Sequence, residues 1–101
     1  MTEADCFLTI AELSERYASG AATPGMIAEL HLQRLARIDP ILNAMQVVDA
    51  EGALAAAEAS DARWRSGTPL GPLDGITVTI KDNVDVAGFP TRHGSLTTSD
   101  A

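Results

Sequence analysis

Aromatic side chains are scarce in this chain: one Trp, one Tyr and two Phe among 101 residues. Rings supply the largest buried areas in small cores. The core must therefore be mostly aliphatic, and it will be thin, because much of the 46% apolar fraction is alanine. Cysteine occurs once, at Cys6, which excludes an internal disulfide and is compatible with a reducing compartment. Basic residues are few, seven Lys and Arg against fourteen Asp and Glu, for a formal charge of −7. That deficit argues against nucleic acid or an anionic membrane surface as a direct partner, since both are gripped through positive patches. No apolar run approaches the roughly 20 residues of a membrane span. Residues 1–5 hold two acids and no base, without the basic start and apolar stretch of a signal peptide. The expectation is a soluble, cytoplasmic protein.

What is present is a succession of helix signals. Thr9 opens a capping box with Glu12 three residues on, and Ile10, Leu13 and Tyr17 then share one helical face. Gly20 is placed to end that helix. Thr23-Pro24 is an N-cap residue followed by proline at the first helical position. Ile27, Ala28, Leu32, Leu35 and Ile38 give the second helix a broad apolar face, and Asp39-Pro40 is expected to stop it. Asp49 caps a third, alanine-rich helix over residues 50–65, ended by Ser66-Gly67-Thr68-Pro69.

Two segments read as strands, residues 45–48 and the β-branched run Ile76 to Ile80. A short extended piece is expected at Val84–Val86. The fold class is α/β: two N-terminal helices, then a strand–helix–strand unit that would be a right-handed crossover with parallel strands. This sheet is incomplete. Two or three strands do not make a stable sheet, and parallel strands need cover on both faces. The patterning calls for more sheet than these residues contain.

Strand alternation places Ile76, Val78 and Ile80 on one face and Thr77, Thr79 and Lys81 on the other. Taken by itself, Lys81 has two readings. A lysine at a strand end is ordinarily solvated. One drawn into protein loses solvation, which lowers its pKa from about 10.4 and suits it to act as a base. Other candidates are weaker. Asp82 and Asp85 fail the calcium-loop pattern, because Val84 and Val86 stand where ligands are required. Gly71 and Gly75 precede a strand, whereas phosphate loops lie between a strand and a helix, so they read as turn residues. His31 lies within the apolar arc of the second helix and has no zinc-ligand spacing with Cys6 or His93, so it reads as a packed histidine.

Gly71-Pro72-Leu73-Asp74-Gly75-Ile76, the β-branched run, Lys81-Asp82-Asn83, Val86-Ala87-Gly88 and Thr91-Arg92-His93-Gly94-Ser95 occur in that order. Together they resemble the first conserved block of the amidase-signature family. Upstream, Arg37-Ile38-Asp39-Pro40, Leu42-Asn43-Ala44, Asp49-Ala50 and Ala59-Ser60-Asp61-Ala62-Arg63 resemble the approach to that block. The resemblance runs from about Leu8 to Ser95. One departure is Thr77, where many relatives have proline.

The resemblance implies that residues 1–101 are the N-terminal part of a single amidase-signature domain. They would carry the helices and first strand–helix–strand unit of its mixed sheet. It also implies a Ser–cis-Ser–Lys triad in which Lys81 is the catalytic base. The two serines of such a triad lie downstream in glycine- and serine-rich segments. Ser95 and Ser99 follow Lys81, but neither stands in a Gly-Ser-Ser context, so Lys81 alone carries over. The implied reaction is hydrolysis of a carboxylic amide to acid and ammonia or amine, without cofactor or metal, on a small-molecule amide. By itself the chain is expected to be inactive. Homo-oligomers are left open. Two alternatives remain: the amidase subunit of a tRNA-dependent amidotransferase, and a non-catalytic interaction module or remnant. Val78-Thr79-Ile80-Lys81-Asp82-Asn83 and Thr91-Arg92-His93-Gly94-Ser95 lean toward free-standing amidases.

Overall fold

The computed structural model describes residues 3–81, Val84 and residues 86–89. A short 3-10 helix, Glu3–Phe7, is followed by three α-helices: α1, Ile10–Ser19; α2, Pro24–Leu42; and α3, Ala50–Arg65. The starts of all three are those expected from the caps. Thr9 and Glu12 exchange bonds, with Glu12 N donating to Thr9 Oγ1 at 3.1 Å and Thr9 N to Glu12 Oε1 at 3.2 Å. Thr23 accepts from Met26 N, and Asp49 accepts from Gly52 N. Gly20 closes α1 in the left-handed conformation with φ +80°. Thr9→Ala is expected to cost about 1 kcal/mol, the usual worth of an N-cap. Hydrogen exchange at the Glu12 amide measures it. An unchanged exchange rate would mean that this cap contributes nothing.

The end of α2 differs from expectation. Pro40 lies inside the helix, which runs on to Leu42. The preference of a residue before proline against helical backbone is outweighed here by the bonds that close the last turn. Asn43 adopts φ +51° and its N–H donates to Asp39 O at 2.6 Å. The Asp39 carboxylate accepts from Ala44 N at 2.7 Å and Met45 N at 3.2 Å. The chain therefore turns at the left-handed Asn43, a residue type that tolerates this backbone, and proline only removes one amide donor within the final turn.

The core is small, as the shortage of rings requires. Leu13, Tyr17, Ala22 and Ile27 form one buried cluster, with Leu8, Trp64 and Ile76 packed against it. Trp64 meets Tyr17 at 5.7 Å between ring centroids, with the planes tilted by 56°. The long helix α2 packs against α3 and against the 3-10 helix. The N-terminal end of its apolar arc, Ile27 and Ala28, is buried, whereas Leu32, Leu35 and Ile38 are half-buried. The Asp61 carboxylate accepts from Gly25 N at 2.8 Å, joining α3 to the first turn of α2. The 3-10 helix is tied by Asp5 to Arg16 at 3.4 Å, and Arg34 lies over the Phe7 ring at 4.9 Å.

The expected strands are not formed among the described residues. Residues 45–48 and Ile76 to Ile80 have no regular structure, so the described residues form a helical layer with irregular connections in place of the strand–helix–strand unit. A β-strand is defined by the neighbour that completes its ladder, and no described segment lies alongside either run as a partner. The side chains report the same lack: Val78 is 76% and Ile80 56% exposed, although Ile76 on the same alternating face reaches the core. Part of the Val84–Val86 piece lies outside the described residues, as do Asp82 and Asp85.

Candidate functional site

The three helices converge on one loop, residues 70–77, which leads to Lys81. Helix α3 contributes most. The Asp74 carboxylate is buried and lies against it. Oδ1 accepts from Ser60 Oγ at 2.6 Å and from an Arg63 terminal nitrogen at 2.6 Å. Oδ2 accepts from Arg63 Nε at 2.7 Å and from Leu70 N at 3.0 Å. This is the two-bond fork by which arginine holds carboxylates, one helical turn from a serine that takes the remaining direction. The Arg63 bonds hold the Asp74 carboxyl well below the usual carboxylate range; burial opposes them, and Ser60 and the Leu70 amide assist. Trp64 Nε1 donates to Asp74 O at 3.1 Å, so the aspartate is bound through both side chain and backbone.

Helix α1 adds the second attachment, with Tyr17 Oη donating to Gly75 O at 2.9 Å. Burial, with a smaller contribution from the Asp61 charge, pushes the Tyr17 phenol up to about 12. It therefore remains a proton donor at neutral pH. Gly75 has φ +88°, and a Cβ there would lie 2.6 Å from Pro24 Cγ and 3.0 Å from Ser60 Oγ. The position admits only glycine, because the loop backbone rests directly on α2 and α3.

Helix α2 supplies the third attachment. His31 Nδ1 and Thr77 Oγ1 are 2.7 Å apart. The threonine hydroxyl suits either histidine tautomer, since it both donates and accepts. Partial burial lowers the His31 pKa, which favours the neutral ring. The packed-histidine expectation for His31 is thus met by a half-buried ring with a defined partner.

Lys81 stands four residues beyond Thr77, and its side chain is exposed. Its carbonyl accepts from Val84 N at 3.0 Å. Any burial of the ammonium must come from groups other than the described ones. His93, Ser95 and Ser99 lie outside the described residues. Among the described residues no cluster of His, Cys, Asp and Glu is arranged to hold a metal, and no helix is long and apolar enough to cross a membrane. A shallow depression of about 240 Å³ lies beside Tyr17, Thr23, Asp61 and Trp64, and Lys81 is not in its wall. Sequence reasoning took Gly71 and Gly75 as turn residues and gave Asp74 no role. The signal that could have found it was an arginine and a serine three residues apart on one face of a helix, followed by a lone acid in a glycine-proline loop.

The arrangement defines a helical scaffold built to hold one loop and the lysine segment behind it. The match to known proteins covers that same segment: a family model described as Amidase fits residues 26–101, and the chain belongs to the Amidase family. It is 43% identical over 88 residues to the glutamyl-tRNA(Gln) amidotransferase A-subunit of Salinispora arenicola, a match covering 87% of this chain and 18% of that protein. The corresponding A-subunit from Streptomyces coelicolor is 42% identical over 88 residues, covering 87% and 18%. A putative amidase AmiB2 of Mycobacterium bovis is 42% identical over 100 residues, covering 94% and 21%. The chain spans about a fifth of the length of these curated relatives. No solved structure matches it. The family expected from the residues is thus the one found.

Proposed function

We propose that these residues are the N-terminal part of an amide hydrolase in which Lys81 is the base of a Ser–cis-Ser–Lys triad. The observation that carries this reading is the family match, which runs through the docked loop and Lys81. In the reaction, the neutral Lys81 amine takes a proton from the cis-serine. That serine takes one from the nucleophilic serine, whose oxygen attacks the amide carbonyl. The amine leaves with a proton returned along the relay, and water then releases the acid. The substrate is a small-molecule amide, the location is the cytoplasm, and no cofactor takes part. Both serines belong to the rest of the domain, together with its strands and most of the acyl pocket.

The amidotransferase relatives support a second reading, in which the same hydrolytic chemistry supplies ammonia to a tRNA-linked acceptor. One experiment addresses both. Residues 1–101 are joined to the remainder of their reading frame, or to the corresponding remainder of the Mycobacterium bovis relative, and assayed on small aliphatic and aromatic amides. Turnover by the joined chain alone supports a free-standing amidase. Turnover only with partner chains plus glutamyl-tRNA(Gln) supports the second reading. A folded joined chain inactive in both assays leaves the non-catalytic alternative. The separate 101-residue chain is expected to hydrolyse none of these amides, and activity that vanishes in Lys81→Ala would contradict that.

A further inference from the structure

Past Ile76, apolar packing does little to hold the segment that carries Lys81, since Val78 and Ile80 are mostly exposed. The hydrogen bond from Thr77 to His31 is the only side-chain bond that residues 76–81 make to another described residue. Ile76 is held by the core, and the next residue, Thr77, is held by α2. Two adjacent anchors on different elements restrict both the direction and the rotation of the chain that leaves them. A single anchor at Ile76 would leave it free to pivot. Lys81 follows four residues after Thr77, so a pivot at this point displaces the lysine.

We infer that His31 and Thr77 are positioning residues for Lys81: the imidazole on α2 holds the threonine hydroxyl and thereby sets where the lysine amine stands. This inference rests on the reading of Lys81 as the base. Asp61 and the Thr23 cap fix the first turn of α2, so the imidazole is mounted on a rigid support.

The test uses the joined enzyme with Thr77→Val, Thr77→Ser, His31→Ala, the double variant His31→Ala/Thr77→Val, and Lys81→Ala. Thr77→Val keeps the shape and removes the hydroxyl. We expect it to lower kcat by roughly tenfold to a hundredfold, the scale of a misplaced catalytic group, with KM changed by less than about twofold. Thr77→Ser should restore most of kcat. His31→Ala should match Thr77→Val, and the double variant should fall no further, because the two residues act through one bond. Parental kcat in Thr77→Val while Lys81→Ala is inactive would overturn this inference alone. Losses that multiply in the double variant would overturn it as well. Parental activity in a folded Lys81→Ala would remove the base assignment and this inference with it. A second readout does not need turnover: ¹⁵N relaxation at Thr79 and Lys81 should show greater mobility in Thr77→Val and recovery in Thr77→Ser. Equal mobility in all three proteins would count against the anchor.

Discussion

Lys81→Arg in the joined enzyme is expected to lose as much activity as Lys81→Ala, on the order of a hundredfold or more, the scale of a missing acid–base group. The comparison separates two roles. Arginine keeps the positive charge and nearly the length of lysine, so a structural cation would tolerate it. Its guanidinium cannot give up a proton at any working pH, so a base would not survive the change. Alanine removes base and charge together. Circular dichroism must first show that both variants fold, since a buried guanidinium or a cavity lowers activity for a different reason. A folded arginine variant with near-parental turnover would falsify the assignment of Lys81. Lys81 is exposed among the described residues, so the proposed role as base depends on groups other than these. The arginine test is therefore meaningful only in the joined protein.

The largest expected effect on stability is at Asp74. Asp74→Ala leaves Arg63 facing the protein without its carboxylate and strips partners from Ser60 Oγ and Leu70 N. Arg63 keeps a third of its side chain in solvent, so the cost comes mainly from the buried Ser60 hydroxyl left without its acceptor, about 1–3 kcal/mol. Asp74→Asn keeps the shape and an acceptor oxygen but loses the charge, and it should fall between the two. The sole tryptophan makes a local reporter, because Trp64 Nε1 donates to Asp74 O and its ring lies against Tyr17. Urea unfolding followed by Trp64 emission should show an earlier midpoint in Asp74→Ala and a red-shifted native spectrum. A midpoint within error of the parent would show that the loop is held by other means.

The pH dependence of the Asp74 contribution has a definite sign. The folded carboxyl titrates below its unfolded value, which is about 3.9. Its stabilisation is fully present above that unfolded value. It is lost as pH falls further, toward the lower folded value. At neutral pH the clamp is complete. Asp74→Ala should therefore weaken the chain most above pH about 4, and the gap between variant and parent should narrow on acidification.

The helices were legible because their signals are local. Thr9 with Glu12, Thr23 with Pro24, Asp49 with Gly52, and the left-handed Gly20 each involve residues no more than three apart, where the chain itself dictates who meets whom. The end of α2 was misjudged at Pro40 for a related reason. The preference of a residue before proline is real but small, and the Asp39 carboxylate reaching Ala44 and Met45 decided the stop. The strands were misjudged because a run such as Ile76 to Ile80 records a willingness to pair, and its partner is not a local property.

By itself, then, the sequence determined three capped helices, their apolar faces, the family block and the lysine at the end of it. Only the tertiary structure decided how that block is held. Asp74 meets Ser60 across 14 residues and Arg63 across 11, His31 meets Thr77 across 46, and Tyr17 meets Gly75 across 58. No periodicity links such pairs. They come together because the α2–α3 packing and the Leu13, Tyr17, Ala22 and Ile27 cluster bring three helices to one side of a loop. There a buried carboxylate must find its donors or cost free energy.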